Sequence, residues 1–124
     1  MKSKVSTLVV FEDDPIIQWQ LRRQLNKMNV GKAHFYDKKS DLAKAFEINN
    51  NKTLLINLKL ADGWIAEGIL QSLQSHFEKI IVLTGYRNNS FVASTLIHKS
   101  ISFLFKPYSE YQLKTLISNI NSED

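Results

Sequence analysis

The sequence predicts an α/β fold built on a doubly wound parallel sheet, and three observations predict it. The first is the stretch Thr53-Leu-Leu-Ile-Asn-Leu-Lys-Leu-Ala-Asp-Gly63, an apolar run with turn signals before it (Asn49-Asn-Asn-Lys52) and at its end (Ala61-Asp-Gly63). A short run of this kind reads as a central strand buried on both faces. The second is Lys79-Ile-Ile-Val-Leu-Thr84, which repeats the pattern and again ends on one polar side chain. The third is the alternation of strand-like and helix-like segments, five times over, which calls for parallel strands joined by crossover helices. In open sheets of this class chemistry sits just beyond the carboxyl ends of the strands, so Asn57, which interrupts the apolar centre of the first run, falls where an active group is expected.

The elements follow in order. Val5 to Phe11 is mostly apolar with β-branched residues, and Glu12-Asp-Asp-Pro15 stops it. Asp14 is a good N-cap and Pro15 a good first helical residue, a cap worth roughly 1 kcal/mol. The helix that follows carries Ile17, Leu21, Leu25 and Met28 as one apolar stripe, with Trp19 off the stripe. Gly31 reads as its C-terminal signal, and a short second strand is expected over about residues 32–36. Ser40 or Asp37 is the expected cap of a second helix through Leu42, Ala43 and Phe46. After Gly63 a third helix uses Ile65, Ile69, Leu70 and Leu73, with Gly68 inside it at a cost of about 1 kcal/mol relative to Ala. A fourth helix is expected over about residues 90–99. Ile101 to Phe105 is the fifth strand, halted by Lys106-Pro107, and Ser109-Glu-Tyr-Gln112 has the capping-box pattern ahead of a closing helix whose stripe is Leu113, Ile117 and Ile120.

With 124 residues, the chain has the length of one ordinary domain, and residues 1–124 are read as one. The absence of cysteine excludes disulfides and cysteine metal sites, and a cytoplasmic location is the default. The basic N-terminus is followed by an apolar run, Leu8 to Phe11, too short for a secretory core or a membrane span. The formal charge of +4 is scattered, with doublets at Arg22-Arg23 and Lys38-Lys39, and mildly favours acidic partners. No nucleic-acid motif accompanies it, so a small basic nucleic-acid-binding protein is the lowest-ranked reading.

Placed side by side, the strand ends bring together Glu12 and Asp13 after the first strand, Asn57 on the third, Thr84 on the fourth and Lys106 after the fifth. Two like-charged carboxylates suit a hard cation such as Mg²⁺, a lysine opposite them suits a phosphoryl oxygen, and a threonine hydroxyl can donate to another. A hydrolase reading fails for want of a nucleophile. Asp14 is used as a cap, Thr84 has no adjacent histidine, and His34, His76 and His98 fall away from the strand ends. No enzyme activity is expected.

Leu8-Val-Val-Phe-Glu-Asp-Asp-Pro15, Ile56-Asn-Leu-Lys-Leu-Ala-Asp-Gly63, Leu83-Thr-Gly85 and Phe103-Leu-Phe-Lys-Pro107 together resemble, in order and over essentially the whole chain, the motifs of the response-regulator receiver domain of two-component signalling. The resemblance implies a flavodoxin-like, five-stranded parallel sheet of order 2-1-3-4-5 with helices on both faces. It implies Glu12, Asp13 and the backbone carbonyl of Lys59 as Mg²⁺ ligands, Thr84 as the switch hydroxyl, Lys106 as the reader of the phosphoryl group and Phe103 at the position of the switch aromatic. Asn57 stands at the phosphoacceptor position, where the family has an aspartate. A neutral amide lacks the anionic oxygen that attacks phosphorus, and its loss of charge weakens Mg²⁺, so no cofactor is required and a direct Lys106 contact with Glu12, Asp13 or Asn57 can take the metal's place. Lys99 and Ala61 also depart from common family residues, with consequences for turns alone.

The leading expectation is thus a receiver domain of a phosphorelay that is not phosphorylated at Asn57 and works by protein-protein contact. The alternative is a working phosphoacceptor in which Asn57 replaces a native aspartate or regenerates one by deamidation. Partners implied are a histidine kinase, a phosphotransfer protein or an output domain, with a homodimer through the fourth helix, fifth strand and fifth helix as a further option. Phe91, Phe103, Tyr108 and Tyr111 map to that face, and Trp19 and Trp64 are rival contact residues, since aromatic residues favour binding hot spots. The chain ends soon after the fifth helix, so no output domain is expected in it.

Overall fold

A computed structural model describes residues 5–28, 30–48, 52–85 and 101–121. Five strands, β1 (Val5–Phe11), β2 (Val30–Tyr36), β3 (Lys52–Asn57), β4 (Lys79–Thr84) and β5 (Ile101–Phe105), pair in parallel in the order β2-β1-β3-β4-β5. The described helices are α1 (Pro15–Leu25), α2 (Leu42–Phe46), α3 (Glu67–Leu73) and the closing helix α4 (Glu110–Asn121). The helix expected over residues 90–99, Phe91 and His98 lie outside the described residues.

Strand pleating sends alternate residues to opposite faces, and each face has its own core. On one side Val9, Phe11, Leu54, Ile56 and Val82 pack with Leu42 and Ala45 of α2 and Leu73 of α3. On the other, Leu8, Val10, Leu55, Ile81, Leu83 and Leu104 pack with Leu21 and Leu25 of α1 and Leu113 and Ile117 of α4. The sheet is therefore covered on both faces, which explains why β3 and β4 read as continuous apolar runs. Each fully buried Leu or Ile side chain contributes roughly 1.5–3 kcal/mol to holding these layers together.

Several local expectations hold in detail. Asp14 caps α1, its side chain accepting from the Ile16 and Ile17 backbone N–H groups, and Pro15 opens the helix. Ser109 and Gln112 form the reciprocal capping box: the Ser109 N–H donates to Gln112 Oε1 at 2.8 Å and the Gln112 N–H to Ser109 Oγ at 3.1 Å.

Others are corrected. Gly31 lies inside β2, and α1 ends instead at Asn26, whose N–H bonds back to the Arg22 carbonyl. Ile65 precedes α3 as a buried loop residue, and Ile69 on the helix is exposed. The central run is divided: β3 stops at Asn57, and Lys59–Leu60 pairs antiparallel with Gly63–Trp64 in a small ribbon. Gly63 turns that ribbon at φ 125°, a conformation side-chain-bearing residues rarely adopt. Neither Ser40 nor Asp37 caps the second helix. A 3-10 turn over Lys39–Asp41 leads into α2, and the carboxylate that accepts from its first N–H groups comes from Asp62 of the ribbon, 2.7 Å from the Lys39 nitrogen and 3.1 Å from that of Ser40.

Candidate functional site

The parallel pairing of β1 with β3 sets Phe11 beside Ile56, so the residue after each strand faces the same end of the sheet. Glu12 and Asp13 follow β1, Asn57 closes β3, Thr84 closes β4 and Lys106 follows β5. The structure brings Glu12, Asp13, Asn57 and Lys106 into contact. Asn57 Nδ2 donates to Glu12 Oε1 at 3.0 Å and, at 3.4 Å, to Asp13 Oδ1. Its Oδ1 accepts from the Lys59 backbone N–H at 3.4 Å. The amide orientation is self-consistent, because the reversed amide would set an oxygen against two carboxylates and a nitrogen against an N–H.

Glu12 is fully buried. Its Oε1 also accepts from the Asp14 backbone N–H at 3.1 Å, and its Oε2 forms an ion pair with Lys106 Nζ at 3.2 Å. Burial pushes the Glu12 carboxyl above the usual carboxylate range, and the Asp14 N–H and the positive charge of Lys106 oppose that rise. Thr84 is buried beside the site, and the Lys106 N–H donates to the Thr84 carbonyl at 2.8 Å, tying the residue after β5 to the end of β4.

The remaining candidates are spread more widely. Phe103 is half-buried against the α2/α3-side core and stacks on Phe105. Tyr108 is half-buried on the other side, packed against the α1/α4 core. Burial, with the Glu12 charge as a second cause, pushes its phenol up to about 12. Trp19, Trp64 and Tyr111 are exposed. The basic doublets are partly engaged within the chain: Arg22 lies over the Phe35 ring, Arg23 over Trp19, and Lys39 Nζ donates to the Trp64 carbonyl. His34 lies within β2 opposite Val9, and His76 stacks on Phe46. Two contributors were missed in the sequence. Gln18 Nε2 donates to the Glu12 and Tyr36 carbonyls and braces the loop after β1, and Asp62 joins the ribbon beyond Asn57 to the start of α2. Neither carries a local signal: Gln18 reaches back six residues to Glu12 and across 18 to Tyr36, and Asp62 reaches back 22 and 23 to Ser40 and Lys39.

The divalent cation implied by the resemblance calls for oxygen ligands with open lone pairs. The donor set as arranged does not fit one. Glu12 and Asp13 are already met by nitrogen donors, Asn57 turns its nitrogen toward them, and among the described residues no group of three or more His, Asp or Glu side chains gathers as a metal centre.

No protein-family model matches the sequence, and no curated protein is detectably similar to it. Solved structures do match. The N-terminal signal receiver domain of a two-component system response regulator from Bacteroides fragilis aligns with a TM-score of 0.77 at 14% identity, covering 98% of this chain and 100% of that one. The RcsB response regulator from Salmonella typhimurium aligns at 0.75 and 18% identity over 94% of this chain, which spans only 59% of that longer protein. The receiver domain of a sensor histidine kinase from Pseudomonas aeruginosa, solved with a magnesium ion coordinated in its active-site cleft, aligns at 0.72 and 17% identity, covering 93% and 96%. At these identities the likeness establishes architecture: this chain has the flavodoxin-like fold of response-regulator receiver domains.

Proposed function

We propose that this chain is a receiver-type signalling module of a two-component or phosphorelay pathway that takes no phosphate at residue 57 and works by binding other signalling proteins. The observation that carries the reading is Asn57 itself, at the end of β3, with its amide nitrogen turned onto Glu12 and Asp13. The group at the centre of the site is neutral and donates hydrogen bonds, where phosphoryl transfer calls for an anionic oxygen. The receiver fold and the convergence of Glu12, Asp13 and Lys106 at its strand ends support placing the chain in signalling. In this reading it is not an enzyme, it requires no cofactor, and it acts in the cytoplasm on a histidine kinase, a phosphotransfer protein or an output domain. Exposed Trp19, Trp64 and Tyr111 are its contact candidates.

The test is intact mass with peptide mapping before and after incubation with Mg²⁺ and a small-molecule phosphodonor. No adduct, with an amide found at position 57, supports the reading. A base-labile adduct at position 57, or a carboxylate found there, overturns it and restores a working phosphoacceptor.

A further inference from the structure

We propose that Asn57 and Lys106 are built-in counter-donors that occupy the place of a divalent cation, and that Asn57 is the residue that makes this acidic pocket reject one. The pocket holds two carboxylates, Glu12 and Asp13, of which Glu12 is fully buried. Such a pair repels itself unless something positive or proton-donating joins it. Here Asn57 Nδ2 bridges the pair at 3.0 and 3.4 Å, and Lys106 Nζ sits 3.2 Å from the outer oxygen of Glu12. An entering Mg²⁺ would have to displace an ammonium and turn the Asn57 amide over, losing the Lys59 N–H bond to its oxygen as well. It would meet two anionic ligands and one neutral one, whereas tight binding of hard cations rises with ligand charge.

The same geometry says what one substitution does. Asn57→Asp is nearly isosteric, so the 3.0 Å hydrogen bond to Glu12 becomes a contact between two carboxylate oxygens. That contact requires a proton or a cation between them. Asn57→Asp is therefore expected to create a hard-cation site where the native chain has none.

The proposal concerns the same pocket as the function above, and depends on it only in taking residue 57 as an amide. The experiment uses Mg²⁺ and Mn²⁺ alone, with no phosphodonor. Thermal unfolding of the full chain is followed with EDTA and with millimolar Mg²⁺, and backbone NMR resonances are followed during Mn²⁺ addition. The native chain is expected to show the same midpoint in both conditions and no broadening confined to Glu12, Asp13 and Asn57. Asn57→Asp is expected to unfold at a lower midpoint in EDTA and to recover on adding Mg²⁺. Lys106→Gln, which frees Glu12 Oε2, is expected to gain a smaller Mg²⁺ response, and gives an independent reading should Asn57→Asp fail to fold. Selective Mn²⁺ broadening of those three residues in the native chain overturns the proposal, as does the absence of any cation response in the folded variants. Cation binding by the native chain without a phosphoryl adduct would sink this inference and leave the proposed function standing, whereas an adduct at position 57 of the native chain would sink the function.

Discussion

The side-chain nitrogen of Asn57 lies 3.0 Å from Glu12 Oε1, the same oxygen that accepts the Asp14 backbone N–H at 3.1 Å. Two neutral donors thus converge on one buried anionic oxygen. Asn57→Ala removes the side-chain donor and leaves the carboxylate under-satisfied, a loss of about 1–3 kcal/mol for a buried group. Urea unfolding at neutral pH should show that loss as a lower midpoint with an unchanged slope. An unchanged midpoint would mean that the hydrogen bond adds nothing to the stability of the fold.

Glu12 gives the pH dependence. Its carboxyl is raised above the ordinary value, first by burial, so the folded chain holds this proton more tightly than the unfolded chain does. The associated stability is fully present below the unfolded carboxylate value and is lost as pH rises through the folded one. Glu12→Gln mimics the protonated form, and half-buried Lys106 can turn to water. Unfolding measured from pH 4.5 to neutral should therefore show a smaller decline for Glu12→Gln than for the native chain, with the variant equal or more stable at the neutral end. A variant much less stable at neutral pH would show that the ion pair with Lys106 outweighs the desolvation of Glu12.

Tyr108 provides a second readout of the same charge. Its hydroxyl is buried with no hydrogen-bond partner among the described residues, and its phenol is raised to about 12 by burial and by Glu12. Ultraviolet titration should resolve one tyrosine that ionises well above the ordinary phenol range. Since the folded value lies above the unfolded one, the stability linked to Tyr108 is lost as pH climbs from about 10 through about 12. Tyr108→Phe removes the unpartnered hydroxyl and is expected to be neutral or stabilising by about 1 kcal/mol. A marked destabilisation at neutral pH would count against the unpartnered hydroxyl.

Asp62 joins two loops. Desolvation acts to raise its carboxyl, but the Lys39 and Ser40 N–H groups outweigh it and the net shift is downward. The stability it carries is present above the unfolded carboxylate value and lost as pH falls through the folded one. Asp62→Asn keeps the shape but halves the acceptor capacity, so it should loosen the ribbon against α2 and alter the fluorescence of Trp64, whose carbonyl accepts from Lys39 Nζ. The reporter is compared in a Trp19→Phe background. Identical Trp64 emission with and without Asp62→Asn would show that the clip does not order the ribbon.

How much of this was legible in the sequence depends on how local each feature is. The strands β4 and β5 fall where their apolar runs predict, residue for residue: β4 is buried on both faces, which leaves little room for polar side chains, and β5 is halted by Lys106-Pro107. The Asp14 cap and the Ser109–Gln112 box were readable for the same kind of reason, since each joins residues two or three positions apart. Asn57 was conspicuous as a polar residue in an apolar strand. Gly31 misled because a glycine after a helical stripe signals a helix end or a strand start with equal ease, and here the helix had already ended at Asn26.

The sequence by itself determined the alternation of strand and helix, the β1, β4 and β5 strands and the set of polar residues at the strand ends, since hydrophobic period and capping chemistry act within a few residues. Only the tertiary structure decided which atoms meet there. That Asn57 offers its nitrogen to Glu12 across 45 positions, that Lys106 pairs with the outer oxygen of the same carboxylate, and that the Ser40 N–H in the turn before α2 finds its acceptor in Asp62, 22 positions away, are all set by how distant segments come together in the fold. The physical reason is that a side-chain amide takes its orientation from the donors and acceptors around it, and the sheet order alone brings those together.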